Sequence, residues 1–217
     1  MRNQVIEEIV SKKVIAIVRG YFGDECVNLA RALHEGGIDL LEATFDPLDA
    51  ENRRKTAETI KKLNERLGDV MTFGAGTVTS VDMVLEAKAA GARFIVSPNT
   101  NKAVIEATVD ADMVSIPGAL TPTEIKFAHD CGGDFIKVFP ASSMGYGYFK
   151  NLHAPLSDCR LLAVGGVNNE NAADYMNAGC YGIGVAGCLF KKEWIKAGAW
   201  DKITNAAMKF TNLLNII

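Results

Sequence analysis

The chain has 217 residues, 48% hydrophobic and 23% charged, with a mean hydropathy of +0.09; this builds one sizeable core and excludes a membrane bundle, a disordered chain and a collagen-like repeat. Lysine and arginine number 23 against 26 aspartates and glutamates, so the net charge is −3 and no global positive field exists to hold a nucleic-acid backbone. Five cysteines (Cys26, Cys131, Cys159, Cys180 and Cys188) without a C-x-x-C pair, and three histidines without ligand-like spacing, indicate neither a disulfide framework nor a transition-metal site.

Residues 1–11 carry Arg2, Glu7 and Glu8 and lack the apolar stretch of a secretory leader, so they are expected to form a leading helix outside the main fold. With reduced cysteines, that places the chain in the cytoplasm. Short apolar runs then recur, beginning at Val14 (VIAIV), Ile38 (IDLLEATF), Val70 (VMTFGAG), Arg93 (RFIVS), Met113 (MVSIP), Asp134 (DFIKVF), Arg160 (RLLAVGG) and Gly182 (GIGVA). Their starts lie 20 to 32 residues apart, room for one strand, one helix and two short loops.

The intervening segments read as helices. After Gly23-Asp24, Cys26, Val27, Leu29, Ala30 and Leu33 recur at three- and four-residue spacing before Gly36-Gly37. Thr79 or Ser80 can cap the helix that Gly91 closes, and TPTEI from Thr121 is a capping box with Pro122 in the first turn. Trp200–Ile217 reads as a closing helix. Eight strand-helix units in series predict an α/β fold, a single-domain (β/α)8 TIM barrel over residues 1–217 with an extra N-terminal helix. The rival, an open doubly wound sheet, expects a glycine-rich phosphate loop after its first strand, where this chain has Arg19-Gly20-Tyr21.

Two strands are interrupted by charge. In the sixth, alternation puts Phe135, Lys137 and Phe139 on one face and Ile136 and Val138 on the other, so a lysine points where the core does. Burial disfavours an ammonium, and an amine held neutral is the nucleophile that Schiff-base formation on a ketone requires. In the second, Glu42 shares a face with Leu40 and Thr44; a carboxylate in reach of an imine can shuttle protons. A structural Glu42–Lys137 ion pair is the alternative.

Barrel sites gather at the C-terminal ends of the strands. There the chain places Arg19, Thr77 and the Ser97-Pro98-Asn99 turn, suited to an anionic substrate, although Arg19 could be a rim charge and Thr77 a helix cap. The seventh strand ends in Gly165-Gly166, and the eighth carries Gly182, Gly184 and Gly187; glycines here, feeding helix N-termini, are where barrels bind phosphate through backbone N–H groups.

In this order and spacing, LEATF, GAGTV, IVSPN, IPGALTPTEI, FIKVFPA and AVGGV resemble the bacterial 2-keto-3-deoxy-6-phosphogluconate (KDPG) aldolase / 4-hydroxy-2-oxoglutarate (KHG) aldolase family, class I aldolases on a (β/α)8 barrel. The resemblance implies that Lys137 is the Schiff-base lysine and Glu42 the general acid/base. It implies that Thr77 holds the pyruvyl carboxylate, that Arg19 and Pro98 sit at the substrate mouth, and that Gly165, Gly166, Ala186 and Gly187 cradle phosphate. It further implies a homotrimer with no cofactor or metal, acting on a small phosphorylated keto-deoxy sugar acid, and no nucleic-acid or membrane partner. Two positions depart from the family pattern: Phe45-Asp46-Pro47 stands where many members carry an arginine, and Ala186-Gly187 where many carry Gly-Ser. AVGGVNNEN and Arg19 also resemble the sister enzyme acting on the phosphogalactonate epimer. A phosphosugar isomerase or epimerase, and a silent metabolite-sensing barrel, are the rival functions.

Overall fold

The computed structural model describes residues 1–214. In chain order the elements are α1 (Arg2–Lys12), β1 (Val14–Val18), α2 (Gly23–Glu35), β2 (Leu40–Thr44), α3 (Ala50–Leu67), β3 (Thr72–Gly76) and α4 (Val81–Ala89). Next come β4 (Phe94–Val96), α5 (Lys102–Asp110), β5 (Val114–Ile116), β6 (Gly118–Ala119), α6 (Pro122–Asp130) and β7 (Ile136–Val138). The chain ends with α7 (Ala141–Met144), α8 (Tyr146–His153), β8 (Leu161–Val164), α9 (Ala172–Asn177), β9 (Gly182–Val185), α10 (Lys192–Lys196) and α11 (Trp200–Leu214). The expected closing helix ran to Ile217, and its last three positions lie outside the described residues.

All strand pairs are parallel, in the order β5-β4-β3-β2-β1-β9-β8-β7-β6. The expected fifth strand is split into β5 and β6 at Pro117, which has no N–H to give to a ladder. Its carbonyl still accepts from Lys137 N–H at 2.9 Å, so the two ends of the sheet are one chain segment and the sheet closes into the expected eight-position barrel.

Alternation divides the core in two. Ile15, Leu40, Phe94, Val96, Val114, Ile116, Phe135, Leu162 and Val164 pack inside the barrel; Ala16, Leu41, Ala43, Phe73, Ile136 and Val138 face outward under the helices. The leading helix lies outside the ring of strands, as expected, but it also plugs one end. Val5 and Ile9 of α1 join the interior cluster, and Arg2 grips Asp134 by two hydrogen bonds, at 2.8 and 3.0 Å. That closure leaves the C-terminal strand ends as the open end.

The local signals hold at the helices that matter for the site. Ser80, not Thr79, caps α4 by accepting from Met83 N–H, and Thr121 with Glu124 forms the full capping box of α6.

Candidate active site

The second strand presents Glu42 to the barrel interior in register with Ile17 of β1 and Gly74 of β3. It is 3% exposed, and room for it comes from a neighbour without a side chain: a Cβ on Gly76 would overlap the Glu42 carboxylate. Thr44 Oγ1 donates to Glu42 Oε1 at 3.2 Å. Burial pushes the Glu42 carboxyl above the usual carboxylate range; the charges of Lys137 and Arg19 and the Thr44 hydrogen bond oppose that shift without cancelling it.

Lys137 sits between fully buried Ile136 and Val138 in β7, in register with Gly118 and Leu162, so its side chain takes the interior face. It is half-buried rather than enclosed, because it emerges where the interior opens, with Nζ 5.1 Å from the centre of the Phe139 ring. Among the described residues no ion pair joins Lys137 to Glu42 or to any other carboxylate. The structural ion pair is therefore not what holds these two groups in the barrel.

Arg19 follows β1 and donates from Nη2 to Thr77 Oγ1 at 3.0 Å. It is exposed, yet tied across β2 to the end of β3. Thr77 does not cap a helix; it holds φ +56°, a conformation costly for a β-branched residue, which aims its hydroxyl at the guanidinium. Gly165 and Gly166 both have positive φ, and a side chain on Gly166 would meet Ser142 of α7.

All nine residues singled out from the sequence, Lys137, Glu42, Arg19, Thr77, Pro98, Gly165, Gly166, Ala186 and Gly187, line one cavity of about 570 Å³. That is the size expected for a small-molecule site. Ile17, Phe139, Val164, Val167, Asn168, Gly184 and Cys188 line it as well. Phe139 was within reach of sequence reasoning, two residues beyond Lys137 on the same face; Asn168 was not, since Asn-x-x-Asn reads as an ordinary turn. A separate cavity of about 410 Å³ between α3 and α4, with Arg53, Glu86 and several alanines, contains none of the strand-end residues.

Gly182 and Gly184 lie inside β9, as the strand run at Gly182 implies, and give space to Leu162, Val164 and Ile17; only Gly187 belongs to the loop. One expectation about the glycines needs correction: neither glycine segment leads straight into a helix N-terminus. Gly165-Gly166 enters a turn closed by Asn168 and Asn171, and Ala186-Gly187 a turn closed by Leu189 N–H on the Ala186 carbonyl, five residues before α10. The possible donors are single N–H groups, not a helix dipole. Asp46 also stands apart: its Oδ1 accepts from Leu48 N–H at 3.0 Å in the loop after β2, and it does not line the cavity.

Among the described residues, one group of His, Cys and Asp side chains is close enough to share an ion, namely His129, Asp158 and Cys159. It lies at the strand-entry end of the barrel, and the Lys126 ammonium already occupies Asp158 at 3.1 Å. No described helix is long and apolar enough to cross a membrane.

The model of the KDPG and KHG aldolase family matches residues 5–206. The chain belongs to that family. It is 36% identical over 179 residues to the 2-dehydro-3-deoxy-6-phosphogalactonate aldolase of Escherichia coli, covering 82% of this chain and 84% of that one. It is 35% identical over 173 residues to the 2-dehydro-3-deoxy-phosphogluconate aldolase of Treponema pallidum, covering 79% of each chain. Its backbone is similar to a KDPG aldolase from Legionella pneumophila, solved with pyruvate captured as a covalent carbinolamine, at a TM-score of 0.84 and 25% identity, covering 96% of this chain and 97% of that one. The family and the barrel fold thus agree with the resemblance read from the sequence.

Proposed function

We propose that this protein is a Schiff-base aldolase that cleaves a 2-keto-3-deoxy-6-phospho sugar acid, most simply the gluconate, to pyruvate and glyceraldehyde 3-phosphate, and also 4-hydroxy-2-oxoglutarate to pyruvate and glyoxylate. One observation carries the reading: an unpaired lysine and a buried carboxylate, from strands separated by three others, open on the same cavity. As free amine, Lys137 adds to C2 of the substrate, and loss of water from the carbinolamine leaves an iminium. Glu42 takes the C4 hydroxyl proton, the C3–C4 bond breaks, and its electrons pass into the iminium to give an enamine and the free aldehyde. Protonation of C3 and addition of water then release pyruvate and the lysine.

Glu42 suits both halves of this cycle because its raised pKa brings its proton affinity nearer to neutrality. Arg19 and Thr77 receive the substrate carboxylate, Pro98 shapes the wall between them and Lys137, and Gly165, Gly166, Ala186 and Gly187 receive the phosphate. No metal or cofactor is required, since the iminium is the electron sink. The galactonate epimer is the second reading, favoured by the 36% identity to the E. coli enzyme.

Incubation with pyruvate and borohydride tests the assignment. The pyruvyl adduct is expected on the peptide containing Lys137; an unmodified Lys137 beside a labelled lysine elsewhere would overturn it, and no trapping at all would favour an isomerase or a silent barrel. The reading includes a homotrimer in the cytoplasm, in keeping with five free cysteines and tested by light scattering.

A further inference from the structure

Two asparagines close the loop that carries Gly165 and Gly166, and their bonding is reciprocal. Asn168 N–H donates to Asn171 Oδ1 at 2.8 Å, while the N–H groups of Glu170 and Asn171 donate to Asn168 Oδ1 at 2.8 and 3.2 Å. Asn171 Nδ2 donates to the Gly166 carbonyl at 3.0 Å. Every polar atom of the Asn171 side chain is thus spent on the loop.

Asn168 differs. Its Oδ1 accepts two backbone N–H groups, which fixes the orientation of its carboxamide, because the reversed amide would set donor against donor. Its Nδ2 has no partner among the described residues and is not shut off from solvent, and Asn168 lines the catalytic cavity beside Gly166 and Gly187. Among the described residues, the only cations lining that cavity, Arg19 and Lys137, come from β1 and β7. The loops after β8 and β9 bring none.

We infer that Asn168 Nδ2 is a side-chain donor to the phosphate at the distal end of the substrate, with Asn171 as the positioning residue that holds the Gly166 peptide for the same group. The inference rests on the aldolase reading and adds a specificity residue to it. Discrimination between phosphorylated and unphosphorylated substrates then resides in neutral donors and not in an ion pair.

Two variants separate donation from loop closure. Asn168→Thr keeps an oxygen to accept the loop N–H groups and loses the amide donor; Asn168→Asp keeps the acceptor and puts a carboxylate where the donor was. The ratio of kcat/KM for 2-keto-3-deoxy-6-phosphogluconate to that for 4-hydroxy-2-oxoglutarate is expected to fall about tenfold in the first and about a hundredfold or more in the second. Equal losses on both substrates, or an unchanged ratio, would overturn the inference.

A second measurement does not depend on turnover. In a 15N-labelled sample, the side-chain amide pair that disappears in Asn168→Thr should shift on titration with inorganic phosphate. If phosphate moves the Gly166 and Gly187 backbone amides but not that pair, or moves none of them, Asn168 is not a ligand. If the pair moves while borohydride fails to trap Lys137, the aldolase chemistry fails and the phosphate donor stands.

Discussion

The two halves of the cavity rim differ in the charge they carry. β1 to β3 and their ends supply Arg19, Glu42 and Thr77: a cation bonded to a strained hydroxyl, and a buried acid. The loops after β8 and β9 supply glycines, an alanine and an asparagine, with no charge of their own. Lys137 stands between the halves on β7. A reacting carboxylate and a developing charge need a field fixed in the barrel wall, whereas a phosphate that does not react needs only to be held, and peptide N–H groups suffice for that. Changes in the first half should therefore act on every substrate alike, in kcat or in KM, and changes in the second should raise KM for phosphorylated substrates alone.

The hardest blow to that division is the loss of the group that serves both halves. Lys137→Met should lower kcat by about 10⁴-fold or more on every substrate and abolish borohydride trapping. If phosphorylated substrate were still cleaved at a tenth of the wild-type rate, the covalent assignment would fall.

Glu42→Gln should cost about 10²- to 10⁴-fold in kcat. It should also move stability the other way. Because burial raises the folded-state pKa of Glu42, the folded protein binds more protons than the unfolded chain between the ordinary carboxylate range and the raised value, so stability falls as pH rises through that window. A glutamine at this position carries no such cost, so the variant should melt higher than the wild type above the window and lose that advantage below it, by about 2–4 °C for each kcal/mol recovered. Calorimetry at several pH values checks the sign; equal melting temperatures at all pH values would mean that burial does not raise the Glu42 pKa.

The contrast between the halves also explains what could be read in the sequence. Glu42 and Lys137 were legible because a charge inside an apolar strand breaks a period-two pattern that burial otherwise enforces. The barrel was legible from the recurring runs, and only the division of its fifth strand at Pro117 was not, since a proline at a strand end gives no sign that pairing resumes one residue later. The distal half was harder. Glycine signals a loop in a sequence, but Gly182 and Gly184 are strand residues that admit neighbouring side chains, and Gly76 exists to admit the Glu42 carboxylate. The space a glycine leaves is a property of its neighbour across the ladder, which no local pattern records. Asn168 was missed for a related reason: its oxygen makes an ordinary turn, and only the fold shows that the residue lines the cavity.

Gly166→Ala probes the distal half alone. The residue holds φ +75° and a Cβ would press on Ser142, so about 1–3 kcal/mol of stability should be lost. KM for the phosphorylated acid should rise about tenfold, with kcat for 4-hydroxy-2-oxoglutarate nearly unchanged. An equal fall in kcat on both substrates would show that the loop helps to position Lys137 and would erase the proposed division.

The smallest effect is the most diagnostic for the proximal half, because it separates a hydroxyl from the strain that presents it. Thr77 is β-branched at φ +56°, and its Oγ1 accepts from Arg19. Thr77→Ser keeps the hydroxyl and removes the branch, so the protein should melt slightly higher and turn over within about twofold of the wild type. Thr77→Val keeps the branch and the strain but loses the acceptor, freeing the Arg19 guanidinium from the wall; KM should rise about tenfold for phosphorylated and unphosphorylated acids alike, since both carry the carboxylate this pair receives. If the serine variant were as impaired as the valine variant, the methyl group packed at the end of β3, rather than the hydroxyl, would be what the site uses.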